Sequence, residues 1–384
     1  MRKLIEAFQQ KFGTAPAVGA TAPGRLEILG NHTDYNEGLV LSCAVDRQTA
    51  IVLKRNGSRR VRFYDLRADQ AGEFALDELT PDLRPKWLGY PAGALSELRK
   101  RNMTTDGFDA VISSTVPLSA GMSSSAALET AILFALCAEF GFDIPKAELA
   151  RIGQGVENNF LGLKTGLLDQ FSSIFGVKDQ MILSDFRTVA VTDTAPLAPG
   201  FAILVVNSMQ KHNLVDSEYN LRRSACERAA AKLREIHPAI RTLRDVSGAM
   251  LNDARSLLSD EEFRRAAHVV GECERVARAI RFLKAGQMTE FGALWFASHE
   301  SSRTNFENST PALDFLVECA RAIPGAVGAR LSGGGFGGIS IHLVREEALD
   351  SYRAAVAQAF ERKFQIAPEM IVCHAGNGAA AMTL

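Results

Sequence analysis

Arg25, Asn31, His32, Asp34 and Tyr35 crowd into one stretch, A-P-G-R-L-E-I-L-G-N-H-T-D-Y-N-E-G, at residues 22–38. An apolar, strand-like core of Leu26, Ile28 and Leu29 runs into this turn, which is punctuated by glycines 24, 30 and 38. Glycine supplies the positive φ that such a turn needs. A merely solvated loop would carry Ser, Lys or Glu. A mixture of guanidinium, amide, imidazole and carboxylate suits the grip of a small polar molecule.

A second stretch, P-L-S-A-G-M-S-S-S-A-A-L-E-T-A at 117–131, places a glycine and three consecutive serines at the start of an alanine-rich helix. Free N–H groups at a helix start carry roughly half a unit of positive charge and suit phosphate. Serine hydroxyls can add donors or ligate Mg²⁺. No lysine lies in the loop and G-x-x-x-x-G-K-[ST] is absent from the chain, so a nucleotide would be held by a helix end and hydroxyls. An ordinary serine-capped helix is the plainer reading, but it needs only one serine.

A third stretch, L-S-G-G-G-F-G-G-I-S-I-H-L-V at 331–344, formally contains G-x-G-x-x-G. The residues after its last glycine alternate as a strand, whereas a dinucleotide fingerprint requires a helix there. Neither H-R-D nor D-F-G of a protein kinase occurs. What remains is a tight glycine hairpin whose backbone can approach another loop or a ligand.

These stretches must be positioned by a chain of 384 residues, too long for one ordinary core. Two lobes are expected, 1–195 and 196–384, divided at T-D-T-A-P-L-A-P-G between 193 and 200. Strands are expected at 49–53 and 61–64, paired through R-N-G-S, and at 108–116, 181–184 and 189–192. Helices are expected near 87–94, at 124–140 and from 146 to about 161. The second half reads as strand 201–206, helix 217–236 capped by Asp216 or Ser217, helices through 261–284 and 311–321, strands 326–331 and 338–344, helix 347–362 and strand 369–373. Such an order suggests helices packed on an antiparallel sheet.

Composition is that of a soluble globular protein, 47% apolar and 23% charged. With 43 basic and 44 acidic residues the net charge is -1, so no basic field invites nucleic acid. No apolar run approaches the ~18 residues of a membrane span. The first residues read as an amphipathic helix with Leu4, Ile5, Phe8 and Phe12 on one face, which points to a cytoplasmic protein. The six cysteines lack C-x-x-C spacing and read as buried thiols, and no histidine pair has ligand spacing. His237, His268 and His342 read as ordinary surface or packed residues.

With G-R-x-x-I-L-G-x-H-T-D-Y-N-x-G, P-L-S-A-G-M-S-S-S-A-A-L and L-S-G-G-G-F-G-G in this order, the chain resembles the GHMP small-molecule kinase superfamily, and within it the galactokinase family. Further matches are K-W-L-G-Y at 86–90, G-L-L-D-Q-F at 166–171 and H-N-L-V-D-S-E-Y-N-L-R-R at 212–223. The resemblance implies an α+β fold of two lobes. The N-terminal lobe would be like ribosomal protein S5 domain 2, the C-terminal lobe ferredoxin-like, with the active site between them. It implies MgATP-dependent phosphorylation of a sugar's anomeric hydroxyl, with Asp169 as catalytic base and Arg25 as its electrostatic partner. Ser119, Gly121, Ser123 and Ser124 would line the triphosphate, Ser125 and Glu157 would ligate Mg²⁺, and Trp87 and Tyr90 would flank adenine. Asn31, His32, Thr33, Asp34, Asp169 and Tyr219 would contact the sugar. The expected partners are the sugar and MgATP, with neither nucleic acid nor membrane; a monomer is expected, a weak dimer being the alternative.

Elementary chemistry agrees with these roles. A free Asp, with a pKa of ~3.9, is a weak base, so catalysis must rest on positioning and charge neutralisation. Asp34 offers a bidentate acceptor for two adjacent hydroxyls, and Tyr219 an apolar face with a polar tip.

Two positions depart from the usual galactokinase reading G-R-x-N-x-I-G-E-H. Glu27 stands where Asn is usual, and Asn31 where Glu is usual, before His32. Position 31 is implied to lie near the sugar's C6 hydroxyl. An amide there removes a charge and adds two donors. The expectation is a preference relaxed towards galacturonate or another C6-altered galactose, with galactose the leading substrate. A catalytically silent sensor of galactose and ATP is the alternative from another class. H-T-D-Y-N and S-E-Y-N-L-R-R disfavour a mevalonate, homoserine or heptose kinase.

Overall fold

The computed structural model describes the backbone over residues 1–117, 121–211 and 215–384, and the side chains of all of these except 211 and 215–217. Ser119, the caps expected at Asp216 and Ser217, and the start of the 212–223 match therefore lie outside the described residues.

Helix α1 (Arg2–Phe12) buries Leu4, Ala7 and Phe8, spaced three and four apart, and stops at Gly13, whose φ of 71° is left-handed. Strand β1 (Val18–Leu29) enters the first turn and β2 (Leu39–Arg55) leaves it. Then come β3 (Arg60–Asp65), β4 (Gln70–Ala75), α2 (Gly89–Arg99), β5 (Phe108–Ser114), α3 (Ser124–Phe140), α4 (Lys146–Gly155), α5 (Leu168–Phe175), β6 (Met181–Asp185) and β7 (Ala190–Ala195). The helix expected to reach about 161 ends in a widened π turn, Val156–Phe160.

The second half runs β8 (Phe201–Lys211), α6 (Val215–Ile236), α7 (Gly248–Asp253), α8 (Asp260–Lys284), α9 (Met288–Ser301), α10 (Pro311–Ala322), β9 (Ala326–Ser332), β10 (Gly337–Arg345), α11 (Leu349–Phe364), β11 (Glu369–Cys373) and β12 (Ala380–Thr383). Thr310 caps α10 through the Leu313 N–H, with Pro311 at the first helical position.

The first sheet is ordered β12-β1-β2-β5-β3-β4, with β6 and β7 joined to β2. The expected direct pairing of 49–53 with 61–64 does not form. β5 inserts between β2 and β3, antiparallel to the first and parallel to the second. The 55–58 turn is held open by that strand's start: Gly107 donates to Ser58 O (2.7 Å), Asn56 donates to Asp109 (2.8 Å), and Arg62 grips Asp109 with two 2.7 Å bonds. β12, whose four residues are all exposed, adds to β1, so the chain returns to the first sheet at 380–383. With no buried face it carries no apolar alternation to read.

The second sheet is the antiparallel β11-β8-β10-β9. Along β8 the side chains of Ile203 and Val205 join a core with α9 and β1, while Leu204 and Val206 join one with α10 and α11. Burial on both faces explains why β8 is an unbroken apolar run. Helices therefore cover one face, and α9 with the first sheet closes the other. That shared core, containing Leu26, Ile28, Val276, Trp295 and Ile341, fixes the first turn against the second sheet.

All six cysteines are free thiols; Cys43, Cys226, Cys319 and Cys373 are buried, and burial pushes Cys43 and Cys226 up to about 12. No described helix is long and apolar enough to cross a membrane.

His342 is fully buried between Ser340 Oγ (2.8 Å) and Tyr352 Oη (2.5 Å), and burial lowers its pKa from 6.5 to about 3. The unfolded chain therefore binds a proton that the folded chain refuses. Its contribution to stability is full above pH 6.5 and is lost as pH falls towards 3. His342→Gln is expected to reduce the pH slope of unfolding free energy by about 1.4 kcal/mol per pH unit between about pH 4 and 6, measured by urea unfolding.

Candidate active site

The first turn is a set of backbone groups held by buried side chains. Gly30 has φ 103°, and the Thr33 hydroxyl lies 2.8 Å from Gly30 O and 2.7 Å from Leu39 O, both acceptors. Thr33 is fully buried, so its hydroxyl closes the turn and does not face the cleft, contrary to its expected sugar contact. From α8, Glu272 Oε2 accepts the N–H groups of Gly30 and Asn31 at 2.9 Å each, and His268 Nε2 donates to Asn31 O (3.1 Å). Burial works against the Glu272 charge, but Arg275, His268 and Arg330 hold its carboxyl far below the ordinary range. Glu272→Gln turns a donor towards those two N–H groups or towards Arg275. It is expected to cost about 3 kcal/mol of stability and to raise the sugar KM more than it lowers kcat, read by thermal unfolding and steady-state kinetics.

His32, at φ 60°, stacks within 4.4 Å of Phe306 and 4.9 Å of Tyr219. Its Nε2 donates to Gly334 O (3.1 Å), since a carbonyl only accepts, so Nδ1 accepts from the Tyr35 hydroxyl (2.9 Å). Burial lowers its pKa to about 3, which keeps the ring neutral.

The reacting centre joins three elements. Arg25 of β1 donates through Nε to Asp169 Oδ1 (2.8 Å) and through Nη1 to Gly121 O (2.7 Å), and its Nη2 lies 2.7 Å from the same Asp169 oxygen in an ion pair. Asp169 stands in the first turn of α5, and its other oxygen accepts from Ser123 Oγ. Ser123, left-handed at φ 55°, makes no side-chain cap on α3. The first N–H groups of that helix are thus left for an anion. The Ser123 hydroxyl is bound to Asp169, whereas a direct triphosphate contact was expected.

Next to this pair lies a cluster of buried acids. Ser125 Oγ donates to Glu157 Oε1 (3.1 Å), and Glu157 Oε2 accepts from Thr165 (2.6 Å) and Gln170 (3.1 Å). Gln170 also reaches Glu129 Oε2 (3.2 Å), while Glu129 Oε1 has no partner. Burial raises both carboxyls, Glu129 strongly, with Asp169 adding like charge. Among the described residues no lysine or arginine pairs with either acid.

A cleft of about 250 Å³ is lined by Arg25, Glu27, Asn31, His32, Asp34, Asp169 and Tyr219, with Gly333 and Gly334 from the hairpin and 162–166 from the loop before α5. Burial raises the Asp34 carboxyl. The hairpin turn has the backbone expected of it, with positive φ at Gly333, Gly335, Phe336, Gly337 and Gly338, and its carbonyls meet the first turn at Asn31 and His32.

Trp87 stacks edge-on against Phe63 at 5.6 Å, and burial pushes the Tyr90 hydroxyl up, with Glu129 and Glu157 adding like charge. Neither lines the cleft.

Asn31 is where expectation and structure part. Its amide nitrogen donates to Glu27 Oε1 (3.0 Å) and Gly333 O (2.8 Å), and its Oδ1 accepts from Asn308 (2.9 Å). Both donors are occupied, so no free amide awaits a C6 carboxylate. Glu272, Asn308 and Arg330, which lie far along the chain, were not singled out in the sequence, and His268, read there as an ordinary surface or packed residue, holds the first turn. Glu272 and His268, four apart on one helix face, were the visible signal.

Three family descriptions match along the chain: the galactokinase galactose-binding signature over 6–55, the GHMP kinases N terminal domain over 89–177 and the GHMP kinases C terminal over 279–362. Together with the fold they define a GHMP kinase. A mevalonate kinase of Methanococcus jannaschii shares that fold at a TM-score of 0.63 and 19% identity. Likeness to named galactokinases is much closer. That of Pasteurella multocida is 39% identical over 97% of this chain and 96% of its own, and that of Roseiflexus sp. 37% identical over 98% and 96%. A crystal structure of Lactococcus lactis galactokinase complexed with galactose superposes at a TM-score of 0.92, with 31% identity and 98% of each chain covered. The chain belongs to the galactokinase family.

Proposed function

We propose that this chain transfers the terminal phosphoryl group of ATP to the anomeric hydroxyl of galactose, giving galactose 1-phosphate and ADP. The observation that carries this reading is the Arg25–Asp169 pair, set in one cleft between a polar turn and an uncapped helix start. The named galactose complex of the Lactococcus lactis relative supports the choice of sugar.

In this account Asp169 accepts a hydrogen bond from the anomeric hydroxyl, aligns it on phosphorus and takes its proton as the new P–O bond forms. Arg25, immobilised by Asp169 and Gly121 O, and the N-terminus of α3 offset charge on the transferring oxygens. His32, Asp34 and Tyr219 hold the sugar. The triphosphate would lie against Gly121 and Ser123–Ser125, and adenine towards Trp87 and Tyr90.

The acid cluster fits a divalent cation. Among the described residues no cationic side chain pairs with the buried Glu157 or Glu129, and Ser125 supplies a neutral oxygen donor beside Glu157. Ser125 and Glu157 would hold Mg²⁺, which when bound neutralises phosphate charge. The division into lobes is placed at 193–200, with the last strand assigned to the first lobe.

The test is product identity. Incubation with MgATP and galactose should give a sugar phosphate whose phosphorus couples to the anomeric proton by NMR. Phosphate on any other oxygen would refute the assignment.

A further inference from the structure

We propose that Glu27 selects the sugar at its C6 hydroxyl, with Asn31 and Arg330 holding the Glu27 carboxylate in place. The inference rests on the sugar-kinase reading above and names the group that reads one substituent.

Arg25 and Glu27 are separated by one residue on β1, so they project from the same face, about 7 Å apart along the strand. Both line the cleft. Arg25 marks the reacting end, because it holds Asp169. Asp34 offers two oxygens to adjacent ring hydroxyls. One further ring hydroxyl and the exocyclic C6 hydroxyl are then left, and the proposal gives Glu27 the C6 hydroxyl, which reaches furthest from the ring.

Asn31 cannot serve it, since both its donors and its oxygen are engaged within the protein. Glu27 can. Its Oε1 is fixed by Asn31 and by Arg330 Nη2 (2.9 Å). Its Oε2 has no protein hydrogen bond among the described residues, and Glu27 lines the cleft. Arg330 is fully buried and tied to the same segment by bonds to Glu27 O (3.1 Å) and Ile28 O (3.0 Å). A fully buried guanidinium needs a carboxylate partner, and the one ion pair it makes among the described residues is with Glu27.

This explains why positions 27 and 31 depart from the usual pattern together. Their side chains touch, so changing one alone would set two carboxylates or two amides against each other. Exchanging both keeps one of each, with the carboxylate moved to the strand. A sugar carrying its own C6 carboxylate would then meet a like charge, so galacturonate is disfavoured. This reverses the preference expected from Asn31 alone.

The test compares wild type, Glu27→Gln, Glu27→Asn, Asn31→Glu and the double exchange E27N/N31E, each checked for folding by circular dichroism. The readout is kcat/KM for galactose and for 6-deoxygalactose. Wild type is expected to prefer galactose by about tenfold or more, and Glu27→Gln to shrink that ratio to about threefold or less. Each single exchange is expected to lower kcat/KM on galactose about tenfold, and the double exchange to recover most of the loss. A folded Glu27→Gln protein that keeps the wild-type ratio would overturn the proposal. So would a double exchange as poor as the product of the singles. If wild type consumes no ATP with galactose, the kinase reading fails. Calorimetric binding of the two sugars to wild type and Glu27→Gln then still decides the role of Glu27, by the same ratio.

Discussion

Asp169→Asn is expected to lower kcat by about 10³-fold or more while ATP affinity changes by about threefold or less. The carboxylate accepts from Arg25 on one oxygen and from Ser123 on the other, which leaves its remaining lone pairs for the incoming hydroxyl. An amide of the same shape keeps one acceptor but turns an NH₂ group either to the guanidinium or to the hydroxyl it should orient. The loss therefore falls on alignment and on the proton, both of which matter in the transition state and little in the ground state. Turnover by ADP release and ATP affinity by calorimetry separate the two. A kcat within tenfold of wild type would remove Asp169 from the chemistry.

Gly166→Ala is expected to raise the sugar KM by about 100-fold or more. Gly166 is buried at the cleft wall, and a Cβ there would overlap the Asp34 carboxylate. Asp34 cannot turn away freely, because its Oδ2 also accepts the Leu168 N–H (3.3 Å). Either the loop before α5 shifts, displacing Asp169 two residues from Leu167, or Asp34 leaves the position from which it meets the sugar. Overpacking of this kind costs about 1–3 kcal/mol, so the protein should still fold. Sugar binding by calorimetry and a thermal melt check both parts. An unchanged KM would mean that Asp34 does not contact the substrate.

Local grammar made much of the site legible. A strand-turn-strand dense in polar groups, serines at a helix start and a glycine hairpin each have a backbone reason for their composition; the first and third line one cleft, and the second meets it through the bond from Ser123 to Asp169. The second half's elements were legible where apolar periodicity was strong, as in α8 and β8. Helix α9 was missed although Phe291, Leu294, Trp295 and Ser298 repeat at helical spacing. The buried polar partners were not legible. Glu272, His268, Asn308 and Arg330 gain their meaning only when α8, the loop after the π turn at Ser302–Phe306 and β9 close on a turn some 240 to 300 residues earlier in the chain. Asn31 shows the same limit in reverse. Read alone it is a free amide; packed against Glu27, Gly333 and Asn308 it is a fixture.

The most direct measurement is steady-state kcat/KM with MgATP across galactose, 6-deoxygalactose, arabinose and galacturonate. Galactose is expected to exceed each of the others by about tenfold or more, with galacturonate the poorest. Binding of galactose and ATP without ADP release from any of the four sugars would contradict it, and would leave a sensor in place of an enzyme.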